Sequence, residues 1–283
     1  MNYRHIFHAG NPADVMKHAV LALIIDHLRA KAAPFCVLDA HAGIGRYDLD
    51  SESARKTLEF QDGIGRLFGQ AAPHPAPHPA LQPYLDAVAA LNPDGRLRWY
   101  PGSPRLARAL LRDQDRLVLN ELHPDDWQTL KAEFAADRQV TVQKTDAYQA
   151  LRANLPPKEK RGLVLIDPPF EQPDEFARMA EGLKAAHKRW PTGIYALWYP
   201  IKERPAVWRF QEAVENTGIP KILMVELTWH PEDTHTRLNG SGLLIVNPPW
   251  KLDETLRAML PALHAALPST GGEAKVDWLV PEA

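Results

Sequence analysis

Four short apolar runs, each followed by an acidic residue, constrain the fold of this 283-residue chain more than any other feature. Continuous apolar runs of this length are typical of strands that are buried on both faces of a parallel sheet. The runs and the acids after them are 35–38 with Asp39, 117–120 with Glu121, 140–142 with Asp146, and 163–166 with Asp167. Helical patterns lie between them at 104–111, 125–134 and 173–188. The alternation predicts a doubly wound, mostly parallel α/β sheet.

The two ends of this pattern can also be interpreted. Asn11-Pro12 reads as an N-cap followed by proline at the first helical position, which predicts a helix over 12–31. Further apolar runs at 193–199, 221–227 and 242–247 predict three more strands. A long polar loop, 230–239, separates the last two runs, so we expect these to form an antiparallel pair at the edge of the sheet.

Residues 47–100 interrupt the alternation and are interpreted as a small helical insertion. They contain helix-like pieces at 57–68 and 81–91 around a proline-rich tract, 72–79, which we expect to be a solvated polyproline connector. His74 and His78 in this tract could in principle bind a metal, but the tract supplies no fixed geometry. The chain is therefore predicted to form one domain from residues 1–46 and 101–283, with 47–100 inserted.

Charge and cysteine content exclude several classes of protein. The net charge is −2 and the sequence pI is near 6.6, which excludes a generally basic nucleic-acid coat protein but not a local basic groove. Cys36 is the single cysteine, so an intrachain disulfide and a thiol-rich zinc site are excluded. The first residues lead into no apolar signal segment and the longest early apolar run, 19–25, is too short to span a bilayer. We expect a cytoplasmic protein that does not enter a membrane.

The residues at the strand ends predict a nucleoside site. The segment 39–45 places Asp39, Gly43 and Gly45 directly after the first strand, where glycines let the backbone turn tightly and approach a ligand. Glu121 could accept hydrogen bonds from ribose hydroxyls, and Asp146 could accept one from an adenine amine. Each acid alone could equally be a loop or helix-capping carboxylate. Their succession at neighbouring strand ends favours a shared cofactor site.

The phosphate-binding motifs that would indicate a nucleotide are absent from the sequence. There is no Gly-x-x-x-x-Gly-Lys-Ser/Thr segment, and Tyr47 stands where the dinucleotide fingerprint requires its third glycine. The predicted ligand is therefore a nucleoside without a buried pyrophosphate, a description that S-adenosylmethionine meets.

Asp167-Pro168-Pro169-Phe170 carries the predicted chemistry. The prolines restrict the backbone and leave the Pro168 carbonyl free of ladder pairing, so Asp167 and that carbonyl could accept both protons of a planar exocyclic amine. Phe170 offers a stacking face for a base that has left its helix. The alternative is an ordinary strand-ending turn. A similar segment, 247–250, comes three strands later, and we interpret it as a strand end with a packed Trp250.

The sequence resembles the bacterial 23S ribosomal RNA adenine-N6 methyltransferases of the RlmJ (YhiR) family. The resemblance spans the whole chain and is carried by residues 3–11, 13–15, 17–18, 38–43, 100–104, 121–124, 167–170 and 194–200. It implies a Rossmann-like (class I) methyltransferase that uses S-adenosylmethionine and no metal. It also implies that the substrate is adenine 2030 of 23S rRNA, either naked or partly assembled, methylated at N6.

The resemblance also implies roles for particular residues. Asp167, with Pro168 and Phe170, is implied to be catalytic, and Tyr3, His5 and Lys17 to bind the substrate. The implied cofactor positions are His18, His41, Ser103, Glu121, Asp146 and Ala147. The sequence itself predicts that Ser103, followed by Pro104, caps a helix whose free N–H groups could hold a carboxylate. The chain departs from the family at two positions, with Phe170 in place of tyrosine and Ala147 in place of glycine.

Several alternatives stay open at this point. Asp-Pro-Pro-Phe is also found in guanine-N2 rRNA methyltransferases, and DNA amine methyltransferases share the chemistry but usually carry a separate recognition region. A protein-glutamine methyltransferase would have Asn at position 167, and a catalytically silent RNA-binding module would not need Asp167 or Glu121. A metal hydrolase would have to use His230, Glu232, Asp233 and His235, which lack helical His-x-x-x-His spacing.

We expect a monomer that contacts RNA through basic segments such as 158–161, 188–190 and 202–209.

Overall fold

The computed structural model describes residues 4–69 and 78–282. The strands are Cys36–Asp39 (β1), Arg46–Asp48 (β2), Trp99–Pro101 (β3), Arg116–Asn120 (β4), Val140–Gln143 (β5), Gly162–Ile166 (β6), Ile194–Ile201 (β7), Ile222–Thr228 (β8), Gly240–Val246 (β9) and Ala274–Val280 (β10). The α-helices are Pro12–Arg29 (α1), Glu52–Thr57 (α2), Glu59–Asp62 (α3), Gln82–Leu91 (α4), Ser103–Leu110 (α5), Pro124–Glu133 (α6), Ala147–Asn154 (α7), Glu175–Arg189 (α8), Arg204–Glu215 (α9) and Leu252–Ala266 (α10).

Eight strands form one sheet in the order β10-β8-β9-β7-β6-β1-β4-β5. The five strands from β5 to β7 are parallel, with β1 between β4 and β6. The apolar runs of β1, β4, β6 and β7 are buried because alternate residues face two separate cores, whereas β5, at the edge, is only partly buried. Val37 and Leu163 face a core with α1, α5 and α10, whereas Leu38 and Val164 face a core with α7, α8 and α9. The predicted doubly wound α/β fold is confirmed.

The far edge of the sheet differs in detail from the prediction. Strands β8 and β9 do pair antiparallel, as expected, but β9 lies between β7 and β8. The edge itself is β10, which pairs antiparallel with β8 and was not predicted. Residues of β10 alternate between apolar and charged side chains, with Val276 buried and Lys275 exposed. This alternation is that of a strand with one solvated face rather than of a buried strand.

The first helix, α1, forms as the sequence predicts. The Asn11 side chain accepts a hydrogen bond from the Asp14 backbone N–H at 3.0 Å, and Pro12 occupies the first helical position. The helix is buried along most of its length and packs against α4 and α5. It therefore carries Asp14, Lys17 and His18 in its first two turns on a fixed support.

The predicted insertion is closed at its base by a two-stranded ribbon. Strands β2 and β3 pair antiparallel, with Tyr47 opposite Tyr100. The predicted piece 57–68 is not one helix, because Leu58 adopts a left-handed backbone that separates α2 from α3. The predicted piece 81–91 forms as α4. Residues 70–77, including His74, lie outside the described residues, while the His78 ring accepts a hydrogen bond from the Ala80 N–H.

The second Pro-Pro segment, 247–250, and the first, 167–170, lie at opposite ends of the sheet's strands. Because β9 runs antiparallel to β7, Asn247 comes next to the start of β7, where its amide donates hydrogen bonds to the carbonyls of Pro191 and Gly193. The expectation of a packed Trp250 is wrong, since this side chain is 80% exposed. The two prolines before it, Pro248 and Pro249, are buried.

Candidate active site

A cavity of about 910 Å³ lies at the carboxyl edge of the parallel strands. This is the edge at which open α/β sheets bind ligands. Most of the residues predicted from the sequence line it: His5, Lys17, His18, His41, Gly43, Ser103, Glu121, Asp146, Ala147, Asp167, Pro168 and Phe170. Asp39 and Gly45 do not line the cavity, and Tyr3 lies outside the described residues.

Asp167, at the end of β6, contacts a buried ammonium group. The Lys17 Nζ donates to Asp167 Oδ2 at 2.5 Å and lies 2.8 Å from Asp14 Oδ1. Only 5% of the Lys17 side chain is exposed, compared with 15% of the Asp167 side chain. Burial opposes the charge on Lys17, but the Asp14 and Asp167 carboxylates raise the pKa of its ammonium above the ordinary value. Lys17 is therefore a fixed cation that holds one oxygen of Asp167.

Asp14 is the second carboxylate of this chain of contacts. Its Oδ2 accepts hydrogen bonds from the Gly10 N–H at 2.9 Å and from His5 Nε2 at 2.8 Å. Burial would raise the pKa of Asp14, but His5 and Lys17 lower it well below its ordinary value. Asp14 thus joins the N-terminal segment to the lysine that contacts Asp167.

His41 approaches Asp167 from the other side. The backbone N–H of Asp167 donates to His41 Nδ1 at 3.3 Å. Burial lowers the pKa of His41 to about 4, so its imidazole is neutral near pH 7. A neutral ring that accepts this hydrogen bond helps to orient the backbone at Asp167.

Aromatic side chains form the wall of the cavity beside Asp167. Phe170 adopts a left-handed backbone with φ of 52° and packs edge-on against Phe176 and Trp198, with ring centroids 4.9 and 5.9 Å away. Non-glycine residues rarely adopt this backbone conformation, which costs on the order of 1–3 kcal/mol and is concentrated at functional sites. The indole N–H of Trp198 is buried without a partner among the described residues. The Pro168 carbonyl likewise accepts no backbone hydrogen bond from the described part of the chain.

The glycine turn after β1 is held by Glu121. The Gly43 N–H donates to Glu121 Oε2 at 2.8 Å, and the His123 N–H donates to Oε1 at 2.7 Å. Gly43 has φ of 62°, and a Cβ there would lie 2.4 Å from the Tyr47 hydroxyl, so this position favours glycine. Burial raises the pKa of Glu121. The carboxylate lines the cavity at the end of β4, where the sequence places it.

The expectation that Ser103 caps a helix is wrong. Ser103 is the first residue of α5, and Gly102 occupies the cap position without a side-chain hydrogen bond. The Ser103 hydroxyl instead donates to Oδ2 of Asp39, the last residue of β1, at 2.6 Å. Asp39 also accepts from the His41 N–H, and burial raises its pKa to about 7. Asp39 therefore acts on the cavity through Ser103 and His41.

Asp146 caps α7, which is the alternative role that the sequence leaves open for this carboxylate. Its Oδ1 accepts hydrogen bonds from the backbone N–H groups of Tyr148 and Gln149, and its Oδ2 pairs with Arg178 at 3.2 Å. The Ala147 N–H has no partner among the described residues and lines the cavity. The cap leaves this N–H as the free donor at this strand end.

His18 connects the cavity to the insertion. Its Nδ1 lies 2.8 Å from the Tyr100 hydroxyl, which lies 3.1 Å from the Tyr84 hydroxyl of α4. Burial lowers the pKa of His18 to about 3, so this ring is neutral and works through hydrogen bonds.

Several cavity residues were not predicted as part of the site. Asp14 lies in the predicted helix 12–31, Trp198 in the predicted strand 193–199, and Arg178 in the predicted helix 173–188. Local pattern assigns each of these residues to its element correctly. The spacing of Asp14 and Lys17, three apart on one helix face, is the one local signal that connects Asp14 to the site.

The charged loop 230–239 forms ion pairs rather than a ligand set. Glu232 pairs with Arg204, Asp233 pairs with Arg237 at 2.8 Å, and the His230 ring contacts the Thr270 hydroxyl. Within residues 4–69 and 78–282, no group of three His, Cys, Asp or Glu side chains could hold a metal ion. None of the helices in these residues is long and apolar enough to cross a membrane.

The sheet order and the acids at successive strand ends define a Rossmann-like class I methyltransferase. The family model described as "Ribosomal RNA large subunit methyltransferase D, RlmJ" matches residues 32–280. The chain therefore belongs to the RlmJ family.

Similar proteins match over the whole chain. It is 47% identical over 283 residues to Ribosomal RNA large subunit methyltransferase J of Escherichia coli K12, with 100% of both chains covered. It is 43% identical over 284 residues to the protein of that name from Haemophilus influenzae, again with both chains fully covered. A crystal structure of protein LPL1258 from Legionella pneumophila superposes with a TM-score of 0.87 at 32% identity, covering 96% of this chain and 98% of that one.

Proposed function

We propose that the protein transfers a methyl group from S-adenosylmethionine to the exocyclic N6 amine of a single adenine, adenine 2030, in 23S ribosomal RNA. The observation that carries the proposal is the placement of Asp167, Pro168 and Phe170 in one cavity with the cofactor-type acids. The names of the two relatives support large-subunit ribosomal RNA as the substrate. The resemblance of the sequence to adenine-N6 methyltransferases supports the choice of base and nucleotide.

The residues present fit S-adenosylmethionine. Glu121 and Asp146 end neighbouring strands, as a ribose and an adenine ring require, and the Ala147 N–H is free to donate to the base. Ser103 and His18 line the same cavity and would face the methionine portion. When bound, the cofactor supplies a sulfonium methyl group that a nitrogen lone pair can attack in line.

The chain's own residues prepare that nitrogen. Because Lys17 contacts Asp167 Oδ2, the other carboxylate oxygen and the Pro168 carbonyl remain to accept hydrogen bonds from the two N–H groups of the amine. These two hydrogen bonds restore lone-pair density to a nitrogen that is otherwise conjugated with its ring. Holding the amine in this orientation supplies much of the rate, because positioning replaces a bimolecular encounter.

The aromatic wall holds the base itself. A base inside a helix cannot reach the cavity, so the target nucleotide must leave its stack. Phe170 then offers the stacking face and Trp198 closes the edge. Stacking of this kind contributes about 1–3 kcal/mol per base.

The reaction is tested with labelled S-adenosylmethionine and ribosomal RNA from cells that lack this methyltransferase. Nucleoside mapping should place the label on N6-methyladenine at one position of 23S rRNA. Label on N2-methylguanine, label in DNA alone, or no transfer to any nucleic acid would each overturn the proposal.

The Asp167→Asn variant tests the catalytic role. An amide keeps the shape of the carboxylate but loses its negative charge, so we expect turnover to fall by two or more orders of magnitude. The dissociation constant for S-adenosylmethionine, measured by calorimetry, should stay within about twofold of the wild-type value. Asp174→Asn is the matched control, since Asp174 lies in the same loop, is exposed and does not line the cavity. Full activity of Asp167→Asn would refute the assignment.

A further inference from the structure

Lys202 is a cation at the cavity that has no acidic partner in the described part of the chain. Four lysine or arginine side chains line the cavity: Lys17, Arg178, Lys202 and Arg237. Lys17 pairs with Asp14 and Asp167, Arg178 with Asp146 and Glu175, and Arg237 with Asp233. Lys202 is exposed and forms no ion pair or hydrogen bond through its ammonium with any of residues 4–69 and 78–282. Its charge is therefore available to a ligand.

The position of Lys202 follows from the register of β7. Trp198, Pro200 and Lys202 stand at alternate positions along the chain and all line the cavity. Alternate residues of a strand point to one face, at a rise of about 3.3 Å per residue. The backbone at Lys202 thus lies about 13 Å along the strand direction from that of Trp198, which belongs to the aromatic wall beside Phe170. A nucleotide whose base lies at the aromatic wall would extend its backbone toward this end of the cavity.

The loop between β8 and β9 places a second cation beside Lys202. Asn239 is fully buried; its backbone N–H donates to the Ile201 carbonyl at 2.9 Å and its amide to the Lys202 carbonyl at 3.3 Å. The same side chain accepts a hydrogen bond from Arg237 Nε at 3.0 Å. Arg237 also contacts Pro231 and Asp233 through Nη2, which leaves its Nη1 without a partner in the described residues. Asn239 therefore holds the Arg237 guanidinium and the Lys202 backbone at the end of β7.

We infer that Lys202, with Arg237 beside it, binds a backbone phosphate of the RNA next to the target nucleotide. The inference rests on the proposed function for its ligand, since it assigns the substrate side of the same cavity. A phosphodiester fits because it carries one negative charge with no proton to donate, which matches an unpaired ammonium and a free N–H of a guanidinium. The other basic segments are placed differently. Arg161 donates to the carbonyls of Leu28 and Ala33, and Arg189 donates to that of Leu155, so neither reaches the cavity.

The test compares Lys202→Gln with Lys188→Gln, a matched removal of an exposed lysine on α8 that does not line the cavity. The substrate is a 23S rRNA fragment that the wild-type enzyme methylates, assayed from 50 to 300 mM salt. We expect Lys202→Gln to raise KM for RNA about tenfold at 100 mM salt and to lower the slope of log KM against log salt by about 0.7–0.9. Turnover at saturating RNA and the dissociation constant for S-adenosylmethionine should match the wild-type values. Lys202→Arg should restore most of the affinity.

Each other outcome overturns the inference. An unchanged KM and salt slope in Lys202→Gln would show that the ammonium is only solvated. A weaker cofactor affinity would place Lys202 on the cofactor side. An equal effect of Lys188→Gln would show a diffuse charge effect rather than a site. If the wild-type enzyme methylates no RNA at all, the proposed function itself fails, and this result differs from all of the others.

Discussion

Asp39 and Asp167 end adjacent parallel strands, yet their surroundings differ. Asp167 contacts the Lys17 ammonium, whereas Asp39 contacts a hydroxyl and a backbone N–H and is 2% exposed. Burial, with the charge of Asp167 nearby, raises the pKa of Asp39 to about 7. The Lys17 ammonium thus contacts one of these carboxylates, whereas burial favours the neutral form of the other. Two acids of one type therefore have different electrostatic surroundings at the same edge of the sheet.

This difference predicts how stability depends on pH. In the unfolded chain Asp39 loses its proton near its ordinary pKa of 3.8, but in the folded chain only near 7. The folded state therefore binds the additional proton between these values, and the contribution of Asp39 to stability falls as pH rises toward 7. Asparagine cannot titrate, so the stability of Asp39→Asn relative to wild type should increase by about 2–3 kcal/mol from pH 5 to pH 8.

Urea unfolding at the two pH values measures this change. Asp26→Asn on the exposed face of α1 serves as the control and should show a constant difference from wild type. A constant difference for Asp39→Asn as well would contradict the assigned pKa.

At the scale of elements, the start of α1 connects the helix to the insertion. The Asn11 side chain accepts from the Asp14 N–H as a cap, and its amide donates to Glu59 of α3 at 2.9 Å. Asn11→Ala should lower the free energy of unfolding by about 1–2 kcal/mol, because both contacts are lost. Asn11→Ser keeps the cap oxygen and loses only the contact to Glu59, so its loss should be about half as large.

Thermal unfolding with turnover assays distinguishes the two roles. If the cap positions Lys17 and Asp14, Asn11→Ala should lose more activity than Asn11→Ser at a temperature where both are folded. Equal losses of stability in the two variants would show that the cap contributes little.

The elements that have a local sequence pattern could be predicted, whereas features that depend on long-range contacts could not. The strand ending at Asp167 and the helix beginning at Pro12 were predicted because a continuous apolar run and a proline at the first helical position are local patterns. The edge strand β10 was missed because its apolar residues alternate with charged ones, which a search for buried runs does not find. The Ser103 cap was wrong because the helix already begins at Ser103, with Gly102 at the cap position, and the Ser103 hydroxyl donates instead to Asp39, 64 positions away in the chain. Contacts of this range are set by packing and have no local signal.

At the scale of the whole molecule, the near-neutral net charge suits the proposed function. With a net charge of −2, the protein gains little nonspecific attraction to RNA phosphates. Among the lysine and arginine side chains of the cavity, all except Lys202 are paired with carboxylates in the described residues. Selection of one adenine among many nucleotides is better served by a few placed contacts than by a large positive field, which would bind every RNA equally.

The packing of the insertion decides how the molecule unfolds. A separately folded insertion would bury its own core, but Tyr84 and Val88 of α4 are fully buried in the same core as Val15 and Ile24 of α1. Gly63 approaches the Gly10–Asn11 backbone so closely that a Cβ there would lie 2.0 Å from the Gly10 carbonyl oxygen. Separating the insertion would therefore expose one side of α1 to water, at about 25 cal/mol for each Å² of apolar surface.

We accordingly expect one cooperative unfolding transition that includes the insertion. In native-state hydrogen exchange, the amides of α4 should exchange with a free energy within about 1 kcal/mol of that of the central strands β1 and β6. The edge strand β10, paired on one side only, is the internal control and should exchange at a lower free energy. If α4 opened well before β1, the insertion would be an independent unit, and the hydrogen bonds that join Tyr84 through Tyr100 to His18 could not hold the cavity wall in the folded enzyme.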